Sequence, residues 1–276
     1  MTNRKALQQE KLLMSSNSAH SSRFANVLGV SLIILVVFWV VALAFASTRN
    51  NEYDWFRKTY GPSKHSQYAE EWLVRDFFKD QRRGFFVDVG ANAHERESNT
   101  YYLEHELGWS GVAVDAQAEF ATGYGKYRPH TKFFVFFVTD HSEGVESFFV
   151  PDGIPLVASS NKAFTDRYDT SGKERKVATI TLNDLLERNG VGRIDFLTMD
   201  IELAEPKALA GFDIGKYQPR LVCVEAHPEV RQEIVDYFGD RQYRIVGRYL
   251  RADPENLWFA PRESTIPGGV PISGAH

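Results

Sequence analysis

Apolar residues follow two regimes along the chain. Val27–Ala46 reads VLGVSLIILVVFWVVALAFA, 20 residues without a charge and with Ser31 as its one polar side chain. At 1.5 Å of rise per residue, such a helix measures about 30 Å, the thickness of a bilayer's hydrocarbon core. The pattern predicts an uncleaved membrane-spanning helix. Its end, Ala44-Phe45-Ala46, also fits the small-x-small site of a cleavable signal peptide. The run is nevertheless longer than the roughly 7–15 residues of a signal core, and a long leader precedes it. Residues 1–26 are rich in Ser, Gln and Asn and read as a disordered tail. Residues 47–65 are polar, with Gly61-Pro62 as a breaker, and read as a juxtamembrane linker.

From 66 to 262 short apolar runs alternate with segments of helical period, and 263–276 is a loose Gly/Pro/Ser-rich tail. Helices are predicted over 66–81, 98–107, 117–126 and 181–188, the last opened by Thr181 as N-cap. Two more follow, one with Pro206 in its first turn and one running from Pro228 to Phe238. Strands are predicted over 85–89, 111–115, 132–138, 145–150, 177–180, 194–199, 221–225, 243–249 and 257–259. Several of these are continuous apolar runs, as expected of strands covered by helices on both faces. The chain therefore reads as α/β, an open and mostly parallel sheet with helices on both sides. The polar stretch 151–173 is long for a connection within a compact domain, and such stretches are often lids or binding loops.

Charge narrows the partners. The first 50 residues carry a net +4, and the remainder a net −8. A body of that sign is poorly suited to nucleic acid. A single cysteine, Cys223, excludes a disulfide framework and a Cys-based zinc cluster.

In open α/β sheets ligands bind outside the carboxyl ends of the strands. Those ends present Asp88-Val89-Gly90-Ala91-Asn92-Ala93-His94, then Asp115, Thr139-Asp140, Asp200-Ile201-Glu202 and Glu225-Ala226-His227. Gly90 allows a ligand to approach the backbone, and an acid such as Asp115 can accept ribose hydroxyls. The glycine fingerprint of a pyrophosphate site is absent, because Asn92 and Glu95 occupy its later positions. A row of acids would also repel a pyrophosphate. A nucleoside with a cationic centre and no phosphate, such as S-adenosylmethionine, suits the row better. Among these residues Asp200, Glu202 and His227 are candidates for acid–base catalysis. A metal held by Asp200, Glu202 and His227 is conceivable, but no tight ligand motif supports one, and the expectation is no metal.

The blocks FFVDVGANAHE (85–95), SNTYYLEHELGWSGVAVDA (98–116), TITLNDLL (179–186), IDFLTMDIELAEPKALAGFDI (194–214) and LVCVEAHPEV (221–230) resemble the FkbM family of S-adenosylmethionine-dependent methyltransferases. The resemblance implies a class I methyltransferase (Rossmann-like) fold with a final antiparallel strand. It implies a cofactor loop at Asp88, Gly90 and Asn92, a ribose acid at Asp115, and a later acidic motif at Asp200, Glu202 and Glu205. Asp140, at the third strand end, is added as a candidate cofactor contact. Two positions depart from the family pattern, His94 and Leu203, each standing where Gly is usual. The implied function is O-methylation of a small-molecule, glycan or lipid hydroxyl by a membrane-anchored enzyme. The catalytic body is expected in the cytoplasm, where S-adenosylmethionine is made, although the basic residues flanking the span leave its orientation open. The alternative is a catalytically silent methyltransferase fold serving as an interaction module at the membrane.

Overall fold

A computed structural model describes residues 34–40, 51–61 and 64–263. Of the predicted span Val27–Ala46, residues 34–40 are helical and exposed, and the rest lies outside the described residues, as do the tails 1–26 and 264–276. Among the described residues no helix is long and apolar enough to cross a membrane. The described residues from 52 to 263 fall in one compact unit, and those before residue 52 in another.

The main sheet has seven strands in the order β3-β2-β1-β7-β8-β10-β9. They are β1 (Phe85–Val89), β2 (Ser110–Asp115), β3 (Thr131–Val135), β7 (Phe196–Met199), β8 (Leu221–Glu225), β9 (Tyr243–Ile245) and β10 (Asn256–Pro261). The first five in sequence run parallel, and β10 is antiparallel to both β8 and β9. This is the sheet with a late antiparallel strand that the resemblance implied. The side-chain period of two sends Val87, Leu197, Val222 and Val224 to one core and Phe86, Phe196, Leu221 and Cys223 to the other. Both faces are thus apolar, which is why these strands read as unbroken hydrophobic runs.

The predicted strand 132–138 is two strands. Phe136 donates its N–H to Asp115, the last bond to β2, and Thr139 then donates to Ile180. Between them β4 (Phe137–Val138) leaves the main sheet and pairs with β6 (Lys173–Ile180), which is itself antiparallel to β5 (Val145–Val150). These three strands form a small second sheet. The predicted strand 243–249 is also shorter, because the chain turns into the helix Tyr249–Ala252 after β9. Thr181 caps its helix as expected, its side chain accepting from the Asp184 N–H at 3.0 Å. Residues 51–60, within the segment read as linker, are helical, and Phe56 there is fully buried beside Tyr249. An apolar anchor at Phe56 ties this helix to the body.

Candidate active site

The order of the main sheet reverses direction between β1 and β7, and a cleft opens there at the carboxyl ends. Gly90, Asn92, Asp115, Asp200 and Glu202 line it, with Phe137, Phe148, Leu156 and Ala158 as apolar walls. Gly90 has φ +81°, and a Cβ built on it would lie 1.8 Å from the Asp200 carbonyl oxygen. Only glycine fits where the β1 and β7 loops cross.

The loop after β1 keeps its own donors. Gly90 and Ala91 both give their N–H to Val114, Asn92 gives its to Asp115 Oδ2 at 2.9 Å, and Ala93 gives its to Asn92 Oδ1 at 2.7 Å. Asp115 Oδ1 also accepts from the Gln117 N–H at 2.8 Å. The loop from Gly90 to Ala93 therefore offers no spare N–H to a phosphate. Burial pushes Asp115 up to about 6, against the lowering effect of those two N–H donors.

Asp88 is buried beneath the loop rather than on the cleft wall. It accepts from Thr100 Oγ1 at 2.7 Å, and burial pushes it up to about 6. Thr100 in turn accepts from Arg128, whose side chain is fully buried. Arg128 also pairs with Glu104 and donates to the His94 carbonyl at 2.7 Å. This buried network holds the far end of the loop.

His94 turns away from the cleft. Its ring stacks on Tyr127 at 4.9 Å and lies over Gly123, where an added Cβ would come within 2.4 Å of Nδ1. The side chain that replaces the family's glycine thus has a hollow waiting for it on the neighbouring helix. Leu203 has φ +75° and Glu202 φ +54°, two successive non-glycine residues in the left-handed region. Such residues each cost about 1–3 kcal/mol and gather at functional sites. The Gly90–Asn92 side of the cleft and the Asp200–Glu202 side are thus both present, whereas Asp140 is not part of it. Asp140 sits beyond β4, exposed and bonded to His141 at 2.7 Å. Its strand end belongs to the second sheet and faces elsewhere.

The acids of β7 and β8 crowd together. Asp200 keeps a face open to the cleft but is otherwise surrounded by protein, and desolvation, then Glu225 and Glu202, push its carboxyl well above the usual range. Burial raises Glu202 to about 7, in spite of its bond to His227 Nε2 at 3.0 Å. Burial likewise raises Glu205 to about 8, with Glu225 as the next cause. The Glu202 hydrogen bond, then that of Glu225, pushes His227 up to about 10. The raised affinity of His227 for its proton favours the imidazolium, which can donate to Glu202. Pro206 sits in the first turn of the helix Glu205–Ala210, and Glu205 Oε1 accepts from the Ile201 N–H at 3.0 Å.

The stretch 151–173 folds over the cleft. Ser159 Oγ donates to the Glu202 carbonyl at 2.5 Å, Gln117 Nε2 donates to Pro155, and Phe164 sets its ring edge on His227 at 5.0 Å. Sequence reasoning passed over Glu225, Arg128 and Glu104 as site residues. A carboxylate at a strand end was the available signal for Glu225, whereas nothing local marks the buried Arg128–Glu104 pair.

The sequence profile of the methyltransferase FkbM domain matches residues 88–245, more than half of the chain and the run from the end of β1 through β9. The chain belongs to the FkbM methyltransferase family. It is accordingly an S-adenosylmethionine-dependent methyltransferase, as the motif blocks implied. No curated protein matches it in sequence. Among solved structures, it is similar to a TehB-like SAM-dependent methyltransferase from Corynebacterium glutamicum at 10% identity and TM-score 0.40, covering 78% of this chain and 98% of that one. It is also similar to precorrin-6y C5,15-methyltransferase from Geobacter metallireducens at 8% identity and TM-score 0.37, covering 63% and 70%. A third is 1,6-didemethyltoxoflavin-N1-methyltransferase of Burkholderia thailandensis, solved with S-adenosylhomocysteine, at 12% identity and TM-score 0.35, covering 79% and 86%. The FkbM assignment rests on the profile match and the strand order, not on these distant likenesses.

Proposed function

We propose that this FkbM-family chain is a membrane-anchored O-methyltransferase acting on a small-molecule, glycan or lipid hydroxyl. The observation that carries the reading is the contrast within one cleft. The loop's N–H groups from Gly90 to Ala93 are all taken, while carboxylates line the walls at Asp115, Asp200 and Glu202. That lining suits ribose hydroxyls and positive charge and disfavours a pyrophosphate.

The residues fit S-adenosylmethionine on this ground: Asp115 for the ribose, Gly90 and Asn92 along the nucleoside, and the acids of β7 near the positive end. Asp88 supports the loop from behind. When bound, the cofactor supplies a methyl group on a sulfonium sulfur, open to in-line displacement. The acceptor enters beneath 151–173 between Phe148 and Leu156. Asp200, open to the cleft, takes the hydroxyl proton as the carbon–oxygen bond forms. Its ionised form is a stronger base than an ordinary carboxylate, because its surroundings raise its affinity for protons. The Glu202–His227 pair holds the β7 turn in place, and much of the rate comes from positioning. The two departures that favour a silent module are both accommodated, His94 by Gly123 and Leu203 by a left-handed turn.

The apolar run Val27–Ala46 supports the anchor, with the body on the cytoplasmic side. Full-length protein should stay in the membrane fraction through a high-salt wash, which releases surface-bound proteins only. Protease added to intact cells should spare the body, and its digestion would place the body outside. For the reaction, membranes and extracts are incubated with methyl-tritiated S-adenosylmethionine. Label should enter an oxygen-methylated product. Asp200→Asn should lower the rate by about 100-fold or more at unchanged cofactor affinity. Transfer of label to nitrogen or carbon, or full activity in Asp200→Asn, would overturn the assignment.

A further inference from the structure

Glu202, Glu225 and His227 converge from the ends of β7 and β8. His227 Nε2 lies 3.0 Å from Glu202 Oε2 and 3.3 Å from Glu225 Oε2, and one donor atom from each residue lies within 4.8 Å of the others. Ligand atoms about 2.0–2.1 Å from one cation stand roughly 3.0 Å apart along an octahedral edge and roughly 3.3 Å apart along a tetrahedral one. The two separations to His227 Nε2 lie within the range of such edges, so a cation can take the place of the hydrogen-bonded proton.

The hydrogen bonding within the group is incomplete. Glu225 Oε2 is buried, and the donor nearest it, His227 Nε2 at 3.3 Å, is shared with Glu202 Oε2 at 3.0 Å. Glu205 is fully buried, and its Oε2 has no partner. Buried polar atoms are nearly always partnered, and a buried oxygen with no protein donor is a place where an ion can bind. Two carboxylates converging on one imidazole nitrogen offer three ligand atoms to a cation. The side chains of Glu202, Glu225 and His227 keep 10%, 18% and 24% exposure, which leaves a way in from solvent.

We propose that Glu202, Glu225 and His227 together bind one divalent cation. Two carboxylate oxygens and one imidazole nitrogen favour Mn2+ or Zn2+ over Ca2+, which takes an all-oxygen shell. The cation replaces the proton that His227 and Glu202 share. Binding stands on these residues alone. Its use rests on the methyl-transfer reading, since a cation beside Asp200 would hold the acceptor oxygen and ease loss of its proton.

The test uses purified full-length protein stripped with EDTA and dialysed. Mn2+ is titrated in while the paramagnetic resonance of free Mn2+ is followed, and Zn2+ is read by competition. One cation per chain is expected, with affinity reduced at least about tenfold in both Glu225→Gln and His227→Ala. Circular dichroism confirms that each variant is folded, and His227→Gln replaces His227→Ala if the latter is not. S-adenosylmethionine affinity is measured on the same samples in EDTA. No uptake of either cation by folded wild-type protein overturns the proposal, as does undiminished uptake in both variants. Cation uptake lost in the variants supports the site, even if S-adenosylmethionine fails to bind. That failure would count against the methyl-transfer reading alone.

Discussion

On the β1–β2 side of the cleft each N–H from Gly90 to Ala93 has an acceptor, and Asp115 takes two donors. On the β7–β8 side, Glu205 keeps a buried oxygen with no donor, Glu225 and Glu202 compete for His227 Nε2, and Glu202 and Leu203 sit at positive φ. The backbone donors of the Gly90–Ala93 loop are satisfied by the protein itself, although Gln117 Oε1 beside it has no donor and Asn92 sits at φ +49°, whereas the β7–β8 side gathers carboxyl groups around one imidazole. The β1–β2 side has the properties of a mould, a backbone shape that a ligand enters without rearranging it. The β7–β8 side has the properties of a reaction site, where strain and unmet charge are held by the surrounding fold. The buried Arg128–Glu104 network belongs to the β1–β2 side, since it fixes the His94 carbonyl and, through Thr100, Asp88.

Breaking the mould should cost most. Gly90→Ala places a Cβ onto the Asp200 carbonyl and should cost more than about 4 kcal/mol in urea unfolding, the range of the rare severe substitutions. Arg128→Met leaves Glu104 buried and uncompensated, and a loss of about 3–5 kcal/mol is expected in the same measurement. Comparable stability in either variant would mean that the two sides do not differ as described.

Changes on the β7–β8 side should be mild or favourable. Glu205 is held at about 8, against 4.5 for the ordinary group, by burial. Between those values the folded state keeps a proton that the unfolded state has lost, so wild-type stability falls as pH rises through this window. Glu205→Gln removes that loss. In EDTA, the variant should gain on the wild type from pH 5 to pH 8, and a difference that does not change with pH would show that Glu205 titrates normally. The smallest effect is expected from Leu203→Gly. Relief of the left-handed strain should raise stability by about 1 kcal/mol, and a loss of that size would mean that the Leu203 side chain contributes more by packing than its backbone costs.

These contrasts mark what could be read from the sequence. β1, β5 and β8 have the predicted bounds because breakers or polar residues flank each apolar run on both sides. The strand predicted over 132–138 runs through the apolar stretch Phe133–Val138, and hydrophobicity does not say which neighbour a strand pairs with. The departure of β4 into the second sheet was therefore hidden, and with it the displacement of Asp140 from the cleft. Arg128 and Glu104 look like solvated helix charges until tertiary packing buries both. The turn at Leu203 was legible as a glycine position filled by another residue, and its φ of +75° is the physical form of that departure. His94 was legible as a departure, but its partner Gly123 lies on another helix and only folding joins them.

The central claim is that this cleft is built for a phosphate-free nucleoside held at Asp115. Calorimetric titration of the full-length protein with S-adenosylmethionine, with NADH as the comparator, tests it most directly. The account predicts one S-adenosylmethionine bound per chain, no binding of NADH, and a loss of about 1–3 kcal/mol in affinity for folded Asp115→Ala, the scale of hydrogen bonds to a charged group. Binding of NADH in preference to S-adenosylmethionine, or unchanged S-adenosylmethionine affinity in folded Asp115→Ala, would contradict it.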